Sequence, residues 1–115
     1  MTHASVGMEA ERLACGALQR DGFSILGRRV RTAAGEIDVV ADRQGLTVFV
    51  EVKSRRSLAS AAAALQPRQQ ARLLGAAEIL LGEHPEWGRE GVRFDLIAVD
   101  SAGRMRRVKD ALRLN

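Results

Sequence analysis

Two acidic residues and a lysine in the middle of the chain have types and spacing that could do chemistry. Asp38 lies in the segment Glu36–Asp42 (EIDVVAD), and Glu51 and Lys53 lie in Thr47–Lys53 (TVFVEVK). Carboxylate oxygens are the ligands that hard divalent cations such as Mg²⁺ prefer. A lysine beside such an ion can orient water and stabilise negative charge on a phosphate. One interpretation of the spacing is therefore metal-assisted hydrolysis of a phosphodiester.

This interpretation requires the two segments to pair as neighbouring strands. Both are rich in β-branched residues, and only the four residues 43–46 connect them, so a hairpin is the simplest link. Counting back from the turn gives three facing pairs: Asp42 with Thr47, Asp38 with Glu51, and Glu36 with Lys53. Because side chains alternate along a strand, we expect Glu36 and Asp38 to share a face. A slip of one residue would separate Asp38 from Glu51.

Facing carboxylates on a buried strand pair repel each other, and burial adds to the cost. A divalent cation removes this conflict, and the main-chain carbonyl of Val52 could supply a further oxygen ligand. The alternative is a ladder of charges without a metal. In that case Glu36 and Lys53 form an ion pair worth at most about 1 kcal/mol, and Glu51 is solvated. Spacing alone leaves both interpretations open.

The surrounding pattern predicts an α/β protein of one domain, residues 1–115, with element order α-β-β-β-α-β(-β). A helix with an apolar stripe ends at Asp21-Gly22, and the predicted loop Ser54–Gln66 follows the third strand. Pro67 suits the first position of a second long helix, which runs to about Leu81. Val92–Val99 is the next strand, and Met105–Leu112 is an edge strand or an extended tail. These elements predict a mixed central sheet flanked by helices.

Composition limits the alternatives. The chain has 115 residues, with 18 basic and 14 acidic side chains, a modest excess that suits a polyanion partner without proving one. The single cysteine, Cys15, excludes an internal disulfide and a zinc site built on several thiolates, and it suits a reducing cytoplasm. No apolar run approaches the roughly 20 residues of a membrane span, so we expect no membrane contact and no signal peptide.

Two stretches resemble the signature of a known family. Residues 35–41 (GEIDVVA) and 48–55 (VFVEVKSR) resemble the YraN family of small bacterial proteins, which is similar to archaeal Holliday-junction resolvases within the PD-(D/E)XK restriction-endonuclease-like superfamily. Further matches, in the same order, lie at residues 11–14, 22–26, 67–77, 93–95 and 109–111.

The resemblance implies a restriction-endonuclease-like fold and assigns roles to individual residues. Asp38 and Glu51 would bind Mg²⁺ (or Mn²⁺), and Lys53 would be the catalytic lysine. Glu11 matches a position where related resolvases have an additional acid; the alternative is a helix acid that faces water. Glu36 lies within the signature, where an ion pair with Lys53 or an outer contact to the site is the expected role.

The implied partner is DNA, possibly branched, and a symmetric junction would favour a homodimer with two sites. Phosphate contacts are predicted for a set of basic and polar residues that are otherwise a solvated surface: Arg55, Arg56, Arg68, Arg72 and Gln69. The sequence departs from the family at Gln69 and Gln70, where a lysine is common. The carboxylate pair, the lysine and the family resemblance together predict a metal-dependent, structure-selective DNA endonuclease. The alternatives are a non-catalytic module that binds nucleic acid or a protein, and an interaction protein whose charge reflects arginine bias alone.

Overall fold

The structure is a computed structural model that describes the backbone of residues 3–112 and the side chains of residues 7–112. The chain forms three helices and five strands in these residues: α1 (His3–Arg20), β1 (Ser24–Thr32), β2 (Gly35–Arg43), β3 (Leu46–Ser54), α2 (Leu58–Ala62), α3 (Pro67–Glu83), β4 (Gly91–Val99) and β5 (Met105–Val108). The predicted α/β class and the order of the long elements are confirmed. None of the described helices is long and apolar enough to cross a membrane.

The five strands form one mixed sheet in the order β1-β2-β3-β4-β5. The first three strands are an antiparallel meander, β4 runs parallel to β3, and β5 pairs antiparallel with β4. The two-residue turn between β2 and β3 has positive φ at Gln44 (54°) and Gly45 (90°), the conformation that tight hairpins favour. A parallel β3–β4 pair requires a long crossover, which α2 and α3 provide.

The helices cover opposite faces of the sheet and create two apolar cores. On one face, α1 packs against alternate residues of the central strands, including Val39, Val48 and Val50. On the other face, α3 packs against Ile37, Phe49 and neighbouring residues. The alternation of β3 assigns Val48 and Val50 to the α1 face and Phe49 to the α3 face, as expected for a strand buried on both sides.

The expectation of an uninterrupted loop at Ser54–Gln66 is wrong, because α2 lies within it. Ser57 caps this helix: its hydroxyl accepts a hydrogen bond from the Ser60 amide at 3.1 Å, and Ala61 is fully buried. Serine before a helix satisfies an amide that would otherwise lack a partner. At the C-terminal side, Met105–Val108 pairs with β4 and is therefore an edge strand, with Leu112 buried beyond it.

Candidate active site

The hairpin of β2 and β3 has the predicted register. Asp42 faces Thr47, and the paired residues continue back to Val39 opposite Val50. The ladder ends there, one position short of Asp38. At this point a side chain replaces the backbone as the hydrogen-bond partner of β3: Oδ2 of Asp38 accepts a hydrogen bond from the Val52 amide at 2.8 Å. The two central strands thus begin to separate where the carboxylate of Asp38 lies.

Glu51 and Lys53 lie on β3 beside this point. They lie two and four residues after Phe49, so their side chains share its α3 face of the sheet. Only 16% of the Glu51 side chain and 11% of the Lys53 side chain are exposed, and Nζ of Lys53 lies 3.3 Å from Oε1 of Glu51. The lysine and the glutamate therefore form an ion pair that is largely shielded from water.

The electrostatics of Asp38 differ from those of an ordinary aspartate. Burial, and next the neighbouring Glu51 carboxylate, raise the pKa of Asp38 from 3.8 to about 7. The Val52 amide and the Lys53 ammonium group act in the opposite direction but only partly offset this rise. Asp38 therefore exchanges its proton near neutral pH, so a cation that binds here would displace that proton.

The donor set fits a hard divalent cation. Both side-chain donors are carboxylates, and the N–H of Val52 points towards Asp38. Because the N–H and C=O of a strand residue point to the same edge, the Val52 carbonyl also lies on the Asp38 side. In the described residues no three His, Cys, Asp or Glu side chains cluster as a metal site. Mg²⁺ commonly uses only one or two carboxylates and completes its shell with water and substrate oxygens, and a set of Asp38, Glu51 and the Val52 carbonyl has this composition.

Glu11 is positioned elsewhere. It lies on α1, and both of its carboxylate oxygens accept from Nε of Arg29, at 2.8 and 3.1 Å. Only 9% of the residue is exposed, so the alternative of a helix acid facing water is wrong. Its partner Arg29 lies on β1 across from Asp38, between the facing pairs Arg28–Val39 and Val30–Ile37. The Glu11 carboxylate is thus tied to strand β1 through Arg29.

The expected ion pair between Glu36 and Lys53 does not form. Glu36 pairs with Arg31 of β1 at 3.4 Å, and 40% of its side chain is exposed. The expectation that Glu36 and Asp38 share a face rested on regular alternation, and the alternation breaks between them. Ile37 packs in the α3 core although Val39, two residues on, packs in the α1 core. Lys53 is left to pair with Glu51.

The predicted phosphate-binding arginines are all exposed: Arg55, Arg56, Arg68 and Arg72. Arg55 and Arg56 directly follow β3, and Nη1 of Arg55 donates to the Ser54 carbonyl at 2.7 Å. Arg68 and Arg72 lie near the start of α3, and the Arg72 side chain packs beside Gly35 at the start of β2. Two of the arginines therefore directly follow the strand that contains Glu51, and two lie on the helix that packs against β2.

The glutamines of α3 hold the start of that helix. Oε1 of Gln69 lies 3.5 Å from the Gln66 amide, in a capping box, and Nε2 of Gln70 donates to the Leu65 carbonyl at 3.2 Å. Gln69 therefore already has a structural partner in addition to its predicted role at phosphate.

Fold and site together define a small α/β protein with a carboxylate pair and a lysine where two central strands separate. The family model described as "Uncharacterised protein family UPF0102" matches residues 10–99, and the chain belongs to this family. The match includes every residue of the candidate site.

Bacterial relatives agree with this assignment. A UPF0102 protein of Granulibacter bethesdensis is 59% identical over 109 residues, which is 95% of this chain and 69% of that protein. A UPF0102 protein of Azorhizobium caulinodans is 47% identical over 108 residues, which is 94% of this chain and 82% of that protein. One of Rhodopseudomonas palustris is 49% identical over 93 residues, covering 81% and 72% of the two chains.

Proposed function

We propose that this protein is a metal-dependent, structure-selective DNA endonuclease, similar in mechanism to the resolvases of the PD-(D/E)XK superfamily. The observation that supports this best is the convergence of Asp38, Glu51 and Lys53 at the point where β2 and β3 separate. Two shielded carboxylates and an ammonium group, with a main-chain carbonyl beside them, have the charges that a cation and a phosphate require.

Each group at the site has a separate proposed role. Asp38, Glu51 and the Val52 carbonyl would hold Mg²⁺ or Mn²⁺. Such an ion, when bound, supplies positive charge that polarises water and a phosphate oxygen. Lys53, whose Nζ lies 3.3 Å from Oε1 of Glu51, would donate hydrogen bonds to the attacking water or to the phosphate oxygens on which negative charge develops. Water adds to phosphorus and gives up a proton to solvent, the bond to the leaving sugar oxygen breaks, and that oxygen takes up a proton from solvent.

The basic surface supports DNA as the substrate. The chain has a net charge of +4, and four exposed arginines lie on the segments next to the carboxylates. Arginine pairs well with phosphate because its planar group offers two parallel donors. Binding through phosphates releases counterions, so affinity for DNA falls steeply as salt rises. A homodimer with two sites would cut a branched junction symmetrically, and a single buried cysteine suits activity in a reducing cytoplasm.

A cleavage assay tests the proposal. Wild type and Asp38→Asn are incubated with four-way-junction and linear duplex DNA over a titration of Mg²⁺ or Mn²⁺. Glu83→Gln, which removes an exposed carboxylate at the end of α3, is the matched control. We expect cleavage of the junction that needs the metal, persists in Glu83→Gln and falls at least about a hundredfold in Asp38→Asn. Equal cleavage by wild type and Asp38→Asn would contradict the proposed site.

A non-catalytic module is the second candidate, and the Lys53–Glu51 ion pair is the observation that favours it. With Asp38 protonated, this pair already balances the charge of the cluster without a metal. The surface arginines would then bind nucleic acid or a protein partner. Salt-sensitive DNA binding without cleavage at any metal concentration is the result expected for this candidate.

A further inference from the structure

Apart from a bulge between Ile25 and Gly27 of β1, the β1–β2 hairpin is irregular at one further point, where both strands change faces. Val39 packs in the α1 core, whereas Ile37, two residues earlier on the same strand, packs in the α3 core. Residues two apart on a regular strand share a face, so the strand rotates by about half a turn between these residues. The residue in between is Asp38.

The opposite strand makes the same change. Val30, which faces Ile37, packs in the α3 core, whereas Arg28, which faces Val39, lies close enough to Cys15 of α1 to interact with its thiol. The residue in between is Arg29, which lies opposite Asp38 where the regular pairing of the two strands is interrupted. The reversal is therefore confined to one residue of each strand.

Arg29 has an unusual backbone conformation at the point of the reversal. Its φ is +50°, a left-handed conformation that is uncommon outside glycine, asparagine and aspartate. Such a conformation persists only where surrounding contacts stabilise it. Here the guanidinium group donates from Nε to the carboxylate of Glu11, which is almost completely buried on α1.

We infer that Arg29 is a positioning residue for Asp38: its left-handed backbone, tied to α1 through Glu11, turns the hairpin so that the Asp38 carboxylate lies between β2 and β3. In a regular ladder that side chain would point to one face of the sheet. With the reversal it lies towards β3 and accepts from the Val52 amide at 2.8 Å. The inference rests on the proposed function in one respect, because that function is the reason why the position of Asp38 is important.

The Val52 amide reports on this position without any catalytic assay. Hydrogen exchange at Val52 is measured by NMR in metal-free protein for wild type and two variants. Arg29→Val removes the guanidinium and disfavours the left-handed conformation, whereas Arg29→Asn removes the guanidinium but tolerates that conformation. Arg31→Val, two residues further along β1 and largely exposed, is the control.

We expect protection at Val52, relative to Val50 on the same strand, to fall about tenfold or more in Arg29→Val and less in Arg29→Asn. It should be unchanged in Arg31→Val. Wild-type protection at Val52 in Arg29→Val would overturn the inference. If Arg29→Val does not fold, the other variants decide. The inference is overturned if the Val52 amide is protected as in wild type in both Arg29→Asn and Glu11→Gln.

Two further results separate this inference from the proposed function. If wild type cleaves DNA, Arg29→Val should lower kcat while KM changes little, because the exposed arginines that hold the phosphates remain. If wild type neither binds metal nor cleaves, the proposed function fails, but the exchange measurement still decides whether Arg29 positions Asp38.

Discussion

The replacement of Asp38 by asparagine should change how stability depends on pH. The pKa of Asp38 is raised from 3.8 to about 7 in the folded protein, mainly by burial and then by Glu51. Between these pH values the folded protein holds a proton that the unfolded chain has lost. The free energy of unfolding of wild type therefore falls as the pH rises from about 4 to 7, and this contribution levels off above pH 7.

The magnitude follows from the size of the rise. Each unit of pKa corresponds to about 1.4 kcal/mol. The rise in the pKa of Asp38 from 3.8 to about 7 therefore changes the free energy of unfolding by on the order of 4 kcal/mol across this pH range. The asparagine side chain would carry no charge at any of these pH values, and its oxygen could still accept from the Val52 amide. The stability of Asp38→Asn relative to wild type should therefore increase by about 1 kcal/mol or more per pH unit across the window.

Urea unfolding followed by circular dichroism, at pH 5, 6, 7 and 8 with a chelator present, measures this difference. Comparing two variants at each pH cancels the titration of groups that they share. Glu83→Gln, with its exposed carboxylate at the end of α3, should track wild type at every pH. A constant difference between Asp38→Asn and wild type from pH 5 to 8 would refute the argument that burial holds a proton on Asp38.

Three other substitutions test parts of the same account. Glu51→Gln should lower the pKa of Asp38, because the Glu51 charge is the second largest cause of its rise, and NMR titration of the Asp38 carboxyl measures this; an unchanged pKa would contradict it. Lys53→Met should raise the pKa of Asp38 further, since the ammonium group lowers it, and should destabilise metal-free protein by about 2 kcal/mol at pH 8, where Glu51 loses its partner. Asp95→Asn should destabilise the fold by about 3 kcal/mol in thermal or urea unfolding, because the fully buried carboxylate of Asp95 accepts from Arg93 and Arg107; a loss below about 0.5 kcal/mol would show that the network contributes little.

Much of the site could be predicted from sequence because its geometry depends on a hairpin. The short connection after Asp42 and the β-branched segments fix the register, and the register brings Asp38 towards Glu51. Asp95 also follows from a simple rule, because an aspartate within an apolar strand requires partners: it is buried and accepts a hydrogen bond from the Asp110 amide.

The parts that could not be predicted depend on contacts between distant segments. The reversal at Arg29 leaves no local signal, since arginine has no preference for positive φ; the ion pair with Glu11, 18 residues earlier, accompanies it. Simple alternation, which does not include the reversal, predicted that Glu36 lies beside Lys53. In the structure Glu36 pairs with Arg31 instead. The short helix α2 was missed because its alanine-rich segment has no apolar periodicity, although Ser57 is a capping residue.

Direct measurement of Mn²⁺ binding tests the central claim, that Asp38 and Glu51 together hold a divalent cation. The free-ion signal in electron paramagnetic resonance is followed as Mn²⁺ is added to metal-free protein at pH 8, where Asp38 has lost its proton. We expect saturable binding to wild type and Glu83→Gln, and a loss of affinity of at least about tenfold in Asp38→Asn and in Glu51→Gln. Equal binding to all four proteins, or binding to none, would contradict it.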